Sequence, residues 1–146
     1  MLKKILVPVD GSEIALRALD FAMGIGKKFD SEIIIINVEV PYDYTKLPKR
    51  QPKNELEAEE MAKAPKEPTV LEVAKSAADK AGYDKIFLLK TVSIDPAERI
   101  SEVVVQREVD MVVMGNRGMG AVAGFFVGSV STKVFQTVEC PVIIVK

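Results

Sequence analysis

The sequence contains no histidine, and Cys140 is its single cysteine. Without histidine the chain cannot form a Ser-His-Asp triad or a Cys-His pair, and most types of zinc site are also excluded. A lone cysteine cannot form a disulfide within the chain. We interpret Cys140 as a small buried apolar residue. These absences exclude the commonest forms of nucleophilic and zinc-dependent catalysis.

The chain also lacks a charge imbalance and a long apolar run. Its 20 basic and 21 acidic residues give a net charge of −1, so electrostatics do not favour binding to nucleic acid or to an anionic membrane. Its apolar runs, such as residues 33–36, are far shorter than the ~20 residues that span a bilayer. The N-terminal apolar patch is too short for a signal peptide. We expect a cytoplasmic protein with a single domain, residues 1–146.

Short apolar segments alternate along the chain with segments of helical periodicity. The apolar segments predict strands at residues 2–9, 32–40, 85–91, 110–114 and 141–146. The segments between them predict helices at residues 12–29, 55–63, 69–82, 95 onward and 129–138. Continuous Val/Ile strands separated by helices are typical of a parallel sheet covered on both faces. The sequence therefore predicts an α/β fold: an open, doubly wound, Rossmann-like parallel sheet with strand order 3-2-1-4-5 and helices on both faces.

The predicted helices begin at capping residues. Ser12 predicts an N-cap, and Thr69 with Glu72 has the pattern of a capping box. Asp95 and Glu98 repeat that pattern, and we interpret them as capping residues rather than as an acid/base pair. The helix that begins at Thr69 has a predicted apolar face made of Val70, Val73, Ala74, Ala77 and Ala81.

A glycine-rich stretch after the fourth predicted strand allows three interpretations. A Walker A loop is excluded because Ala121 stands where that motif requires lysine. A dinucleotide fingerprint fits residues 118–123, but its acidic partner belongs at the end of the next strand, whereas Glu139 precedes that strand. The third interpretation is the longer spacing Gly115-x2-Gly118-x9-Gly128-Ser129.

This longer spacing resembles the ATP-binding signature of the universal stress protein family, G-x2-G-x9-G-[S/T]. The segment ILVPVDGSE at residues 5–13 is similar to that family's first strand and turn, and GSVSTKVF at residues 128–135 is similar to its last helix. The segment CPVIIVK at residues 140–146 resembles its closing strand. The likeness extends over essentially the whole chain and is weakest at residues 41–68.

The resemblance implies an ATP site at the carboxyl ends of the strands and the start of the last helix. The adenine pocket would be lined by Pro8, Val9, Val38 and Met114. The ribose and phosphates would contact Gly115, Gly118, Gly128, Ser129, Val130 and Ser131. The chemistry of the residues agrees with this, because backbone N–H groups at a glycine loop and at a helix N-terminus bind anionic oxygens.

Several of these residues have a second interpretation. Asp10, at the end of the first strand, can accept hydrogen bonds from ribose hydroxyls, or it can be a turn residue only. Gly115 and Gly118 can serve the turn after the strand, and Met114 can be a core residue. Ser129 can be an N-cap, with or without a phosphate contact.

The loop carries little positive charge for a triphosphate. Arg117 is the cation nearest to its glycines, because the spacer from Met119 to Val127 is uncharged. We therefore expect Mg²⁺, or the lysines of residues 46–53, to contribute to neutralising the phosphates.

We interpret the chain as an ATP-binding member of this family that acts as a nucleotide-dependent switch. No residue has the pattern of a general base near the phosphates, so we expect slow ATP hydrolysis or none. Two alternatives stay open: an interaction or scaffold protein of the same fold that binds no nucleotide, suggested by Phe125 and Phe126, and an enzyme that transfers an adenylyl or phosphoryl group. We also expect a protein partner, and a homodimer formed through the apolar C-terminal strand, Pro141 to Lys146.

Overall fold

The computed structural model describes residues 1–41, 51–117 and 127–146. The strands in these ranges are β1 (Lys4–Pro8), β2 (Glu32–Glu39), β3 (Ile86–Val92), β4 (Met111–Gly115) and β5 (Val142–Val145). The helices are α1 (Glu13–Phe29), α2 (Glu55–Lys63), α3 (Val70–Lys80), α4 (Pro96–Gln106) and α5 (Ser129–Thr137). The elements follow the predicted order, and β1 is shorter than predicted at both ends.

The strands form one sheet in which every pair is parallel, in the order β3-β2-β1-β4-β5. The predicted fold class is therefore confirmed. From β1 the chain adds strands on one side of the sheet through β2 and β3, and then returns to add β4 and β5 on the other side. This reversal places the switch point, where α/β sheets bind ligands, at the carboxyl ends of β1 and β4.

Helices cover both faces of the sheet, as predicted. Helices α1 and α3 pack on one face, where Leu19 of α1 belongs to the same buried cluster as Ile5 of β1. Helices α4 and α5 cover the other face, where Ile100 and Val134 form a cluster with Ile34 of β2. Because both faces are covered, the consecutive isoleucines of β2 are all buried.

The predicted N-caps Ser12, Thr69 and Asp95 are confirmed, although the full capping box is present only at Thr69. Ser12 caps α1, since its Oγ accepts a hydrogen bond from the N–H of Ala15 at 3.3 Å. The capping box of α3 is present with both of its bonds. Asp95 caps α4 by accepting from the N–H of Glu98 at 3.1 Å. These bonds satisfy N–H groups that have no partner within the helix.

The predicted apolar face of α3 is wrong at Val73. Val73 is 37% exposed, whereas Ala74 and Ala78 are buried against the cluster beneath α1. The buried stripe follows the i, i+4 spacing from Val70 through Ala74 to Ala78, and Val73 lies on its flank. The other predicted positions, including Ala77, do pack against this cluster.

Helix α2 differs from the other helices because it buries none of its residues. Its start is stabilised locally, by the side chain of Asn54 accepting from the N–H of Glu57 at 2.8 Å. In the described ranges, no helix combines the length and the apolar composition that crossing a membrane requires.

Candidate functional site

The carboxyl ends of β1 and β4 lie side by side, with the start of α5 next to them. Leu6 of β1 is opposite Val112 of β4, and because the two strands are parallel, the residues that follow them emerge at the same edge of the sheet. Gly128, which precedes α5, donates its N–H to the carbonyl oxygen of Asn116, just after β4, at 2.5 Å. The structure therefore brings predicted site residues from β1, β4 and α5 together at the switch point.

The end of β1 is fixed to β2 by both polar groups of Val9. The N–H of Val9 donates to the carbonyl oxygen of Ile36, and its carbonyl oxygen accepts from Nδ2 of Asn37, both at 2.8 Å. Asn37 is only 9% exposed, and Pro8, the last residue of β1, is half-buried and opposite Ile36 of β2. The sequence analysis missed Asn37. Its signal is a polar residue after four isoleucines in a buried strand, where a polar side chain needs a partner.

Asp10 forms the turn between β1 and α1. Its Oδ1 accepts hydrogen bonds from the backbone N–H and the hydroxyl of Ser12, at 2.9 and 2.6 Å. Gly11 adopts a φ of 90°, a conformation that glycine tolerates best. The turn role of Asp10 is therefore observed. It does not exclude the ribose role, because a carboxylate offers about four acceptor positions.

Gly115 allows α1 to approach the end of β4. A Cβ atom at this position would lie 2.9 Å from Cγ2 of Ile14, in the first turn of α1, and 3.4 Å from the backbone carbon of Ile14. The first of these distances is shorter than van der Waals contact, so the Ile14 side chain would have to move. Glycine is therefore required at position 115 for packing, whether or not it also contacts a ligand.

Gly128 allows a second close approach at the same place. A Cβ atom at position 128 would lie 3.2 Å from the carbonyl oxygen of Asn116 and 3.3 Å from Cα of Arg117. The chain thus returns closely to the end of β4 before α5 begins. Gly118, Phe125 and Phe126 lie outside the described residues, so the proposals made for them stay predictions.

Helix α5 begins at Ser129, with Gly128 as its N-cap. The interpretation of Ser129 as the N-cap is therefore wrong, and Ser129 occupies the first helical position. Across the part of the chain that the structure describes, no side chain caps α5, and its first turn contains no acidic residue. The first N–H groups of a helix lack partners within it and carry the positive end of its dipole, so this helix end suits an anion.

Other predicted residues connect the site to the core. Ser131 is buried, and its hydroxyl donates to the carbonyl oxygen of Gly115 at 2.7 Å, which ties α5 to β4. Met114 is buried in the cluster under α4 and α5, and Val38 and Val130 pack against that cluster. These apolar residues connect the site to the core under α4 and α5. The interpretation of Met114 as a core residue is confirmed.

The cations near the site have different surroundings. Lys133 of α5 forms an ion pair with Asp95, the N-cap of α4. The hydrogen bond from Lys133 lowers the pKa of Asp95, and the same bond raises the pKa of Lys133, so both groups stay charged at neutral pH. Lys133 is thereby held toward α4, whereas Arg117 lies half-buried just after β4.

The site offers backbone amides, hydroxyls and carboxylate oxygens rather than metal ligands. No group of three or more histidine, cysteine, aspartate or glutamate side chains that could hold a metal ion occurs in residues 1–41, 51–117 or 127–146. Amides at a helix start suit anionic oxygens, and carboxylate oxygens suit hydroxyl groups. This combination matches a ligand that carries both phosphate and hydroxyl groups.

The sequence and the fold of this chain are both similar to those of known proteins. The model of the Universal stress protein family matches residues 1–146. A universal stress protein of Methanocaldococcus jannaschii is 33% identical over 144 residues, which cover 99% of this chain and 82% of that relative. A solved structure of a universal stress protein in complex with cAMP is 26% identical, with a TM-score of 0.69 and coverage of 99% of this chain and 96% of that one. Another, from Archaeoglobus fulgidus in complex with dAMP, is 22% identical, with a TM-score of 0.65 and 100% coverage of both chains.

Proposed function

Because the chain belongs to the universal stress protein family, we propose that it binds an adenine nucleotide, with ATP as the ligand, at the carboxyl ends of β1 and β4. The observation that carries this proposal is the bond between Gly128 and Asn116, which brings the start of α5 to the ends of both strands. A relative with 26% identity is in complex with cAMP, which contains adenine, ribose and phosphate. The match over residues 1–146 also supports one nucleotide-binding domain.

In the proposed complex the phosphates lie against the start of α5. The backbone N–H groups of the first helical turn, from Ser129 to Ser131, would bind phosphate oxygens. Ser129 is exposed and can add its hydroxyl, whereas the hydroxyl of Ser131 already donates to the carbonyl oxygen of Gly115. Arg117 is the cation at the end of β4 that we assign to the phosphates.

The nucleoside then lies over the ends of β1 and β2. Asp10, whose Oδ1 accepts from the N–H and the hydroxyl of Ser12, would also accept from the ribose. The adenine ring would contact the residues predicted for it, Pro8, Val9, Val38 and Met114. Val38 and Met114 belong to one apolar cluster, which supports an apolar floor for the ring.

Mg²⁺ would be held mainly by the phosphates and water, since magnesium usually keeps several waters and binds nucleotide sites through few protein groups. We expect slow hydrolysis or none, because the residues that position the phosphates are amides and hydroxyls rather than a general base. The switch would act through the same residues: Ile14 of α1 leaves no room for a Cβ atom at Gly115, and Ser131 of α5 donates to the carbonyl oxygen of Gly115. A nucleotide that prefers one arrangement of these helices would shift the protein toward it.

The proposal predicts saturable binding of ATP in equilibrium dialysis, with and without Mg²⁺, and with ADP and AMP as comparisons. Ser129→Ala should weaken ATP binding roughly threefold to tenfold, because one hydroxyl donor to the phosphates is lost. Ser76→Ala, on the exposed side of α3, is the matched control and should bind like the wild type. If no adenine nucleotide binds at millimolar concentration, the proposal is wrong and the scaffold alternative gains support.

We further propose that two copies of the chain associate through β5. This strand is at the edge of the sheet, and its residues are half-buried along its whole length. The carbonyl oxygens of Pro141 and Val145 accept hydrogen bonds from Val112 of β4 and from Asn116 just after it. The polar backbone groups of Val142 and Ile144, one residue out of phase, therefore point toward the open edge. An apolar edge with unpaired backbone groups favours pairing with another strand.

Ile144→Pro should therefore produce a monomer that keeps the fold, since proline removes an N–H from the open edge only. Sedimentation of the wild type at tens of micromolar should give the mass of a dimer. Ile143→Pro is the control, because it removes an N–H on the side of β4 and should lower the unfolding temperature more. A wild type that sediments as a monomer would rule out the β5 dimer.

A further inference from the structure

Phe135 of α5 is 63% exposed, on the flank of the helix that faces away from α4. The other flank is identified by Lys133, whose ion pair with Asp95 joins α5 to α4. Val134, between them in sequence, is completely buried and marks the direction of the core. Successive residues of a helix are about 100° apart, so Lys133 and Phe135 lie on opposite sides of Val134. An apolar ring is therefore exposed on the flank opposite α4.

That flank faces the open edge of the sheet. Helix α4 packs on β2, whereas the side chains of Val142 and Ile144 in β5 pack against the cluster that contains Val134 of α5. Helix α5 is therefore the helix nearer to β5, the last strand of the sheet. Phe135 and the half-buried Val142 and Ile144 lie on the same face at this edge, and we call these three residues the α5–β5 patch.

Phe135 is level with the middle of β5. Ser131, four residues before it, donates to the carbonyl oxygen of Gly115, and Gly115 is paired with Val145 at the end of β5. Helix α5 runs back from this edge toward the start of β5. One helical turn advances about 5.4 Å, which corresponds to between one and two strand residues of about 3.3 Å each. Phe135 is thus displaced from the end of β5 to its centre.

The centre of β5 is where a symmetric pair of strands has its twofold axis. In an antiparallel pair of β5 strands, both copies carry α5 on the same face of the joined sheet, one on each side of the axis. Strands lie about 4.8 Å apart, so a helix placed between β4 and β5 lies about 5 Å from that axis. The two α5 helices would then be about 10 Å apart, close to the distance of about 8–10 Å at which helices pack.

We propose that the α5–β5 patch is an interface with a second copy of this chain, in which the two α5 helices pack on each other through Phe135 above the paired β5 strands. This inference rests on the proposed association through β5 and adds the side-chain contact that stabilises it. A strand of four residues offers few backbone bonds to a partner, and burial of apolar surface is the main favourable term in association.

Two features favour a second copy over an unrelated protein as the occupant of the patch. The patch lies at the position of the twofold axis, so the same surface of each copy meets itself. The contact also brings no like charges together, because Lys133 is the one charged residue in the sequence of α5 and lies on the opposite flank.

The test measures the dimer dissociation constant of the full chain by sedimentation equilibrium. Phe135→Ala should raise this constant about tenfold or more, because each dimer loses two aromatic contacts near the centre of the interface. Phe135→Leu keeps an apolar side chain and should raise it less. Phe21→Ala is the matched control, since Phe21 is 49% exposed on α1, on the other face of the sheet, and should keep the wild-type constant.

The fold of the variants is checked by circular dichroism. Phe135 is exposed in a single copy, so Phe135→Ala and Phe135→Leu should keep the native spectrum at concentrations where the protein is monomeric. Loss of the native spectrum in both variants would mean that Phe135 stabilises its own chain, and it would overturn the inference.

The remaining outcomes separate this inference from the proposals on which it rests. A wild type that is monomeric at tens of micromolar overturns both the β5 association and the α5 contact. If the wild type is a dimer and Phe135→Ala has the same dissociation constant, or if Phe21→Ala weakens the dimer equally, the β5 association stands and the α5 contact is refuted. Equilibrium dialysis with ATP tests the nucleotide site independently of these masses.

Discussion

Gly26→Ala should lower the free energy of unfolding by about 1–3 kcal/mol, the usual cost of adding a methyl group to a well-packed core. Gly24→Ala, two residues earlier in the same helix, should raise it by about 0.5–1 kcal/mol. The same chemical change on one helix is thus expected to have opposite effects. The two positions share the backbone geometry of α1 and differ in what lies beside them.

The difference arises from Tyr83. A Cβ atom at position 26 would overlap the hydroxyl oxygen of Tyr83 and lie 2.9 Å from its Cζ, whereas a Cβ at Gly24 would meet no atom within 4 Å among the described residues. Tyr83 cannot move away freely, because it is 6% exposed and its hydroxyl donates to the carbonyl oxygen of Ser31 at 2.5 Å. Shifting the ring would leave a buried carbonyl group without its donor, which adds to the cost.

Urea unfolding followed by circular dichroism measures both variants. The midpoint should move down for Gly26→Ala and up for Gly24→Ala, with the same dependence on urea concentration as the wild type. Equal effects of the two substitutions would contradict the assigned role of Tyr83, because helix propensity alone would then account for both.

The fold was predictable because its signals are local. A parallel sheet covered on both faces needs continuous apolar strands. The four isoleucines of β2 predict such a strand from their own segment of sequence alone. Helix starts are equally local, since Ser12 and Asp95 bond to N–H groups three residues further along. The prediction for Val73 was wrong because Val73 lies at the border of the apolar stripe of α3. Only the packing of α3 against the core decides which border residues are buried.

The site was only partly predictable, because its close contacts join distant parts of the chain. Asn37 binds Val9, and Gly128 binds Asn116, in each case across a helix or a long loop. Neither pairing leaves a periodic trace in the sequence. The glycine spacing indicated which residues gather at the site. It did not reveal that Ile14 leaves no room for a Cβ atom at position 115, because that depends on how α1 packs against β4.

The site consequently depends on packing as much as on ligand contacts. Gly115 is the point at which α1, β4 and α5 meet, because Ile14 leaves no room for a Cβ atom there and Ser131 donates to the carbonyl oxygen of Gly115. Asp10 and Ser12 precede α1 directly and are bonded to each other, so a shift of the first turn of α1 moves the proposed ribose contact with it. A substitution at Gly115 that displaces Ile14, which packs behind it, should therefore change the affinity for the nucleotide.

Gly115→Ala should weaken ATP binding about tenfold or more, because its Cβ would push Ile14 and the first turn of α1 away from β4. The free protein can relieve this overpacking by moving α1, whereas the proposed bound state needs Asp10 in its native place and bears the cost. Overpacking costs about 1–3 kcal/mol, and 1.4 kcal/mol of such a difference corresponds to about a tenfold change in affinity. The closest contact, 2.9 Å, is with the Cγ2 atom of Ile14, whereas the contact with its backbone carbon is 3.4 Å. Ile14→Ala removes the first contact and leaves the second.

The double variant Gly115→Ala with Ile14→Ala should therefore recover most of the lost affinity, and Ile14→Ala alone should bind ATP much as the wild type does. Dissociation constants for the four proteins form a double-mutant cycle, in which the coupling between the two positions should be large because they are in contact. If the double variant binds as weakly as Gly115→Ala, the added methyl group obstructs the nucleotide itself. Gly115 would then be a direct ligand contact, and the displacement of α1 would not explain its requirement for glycine.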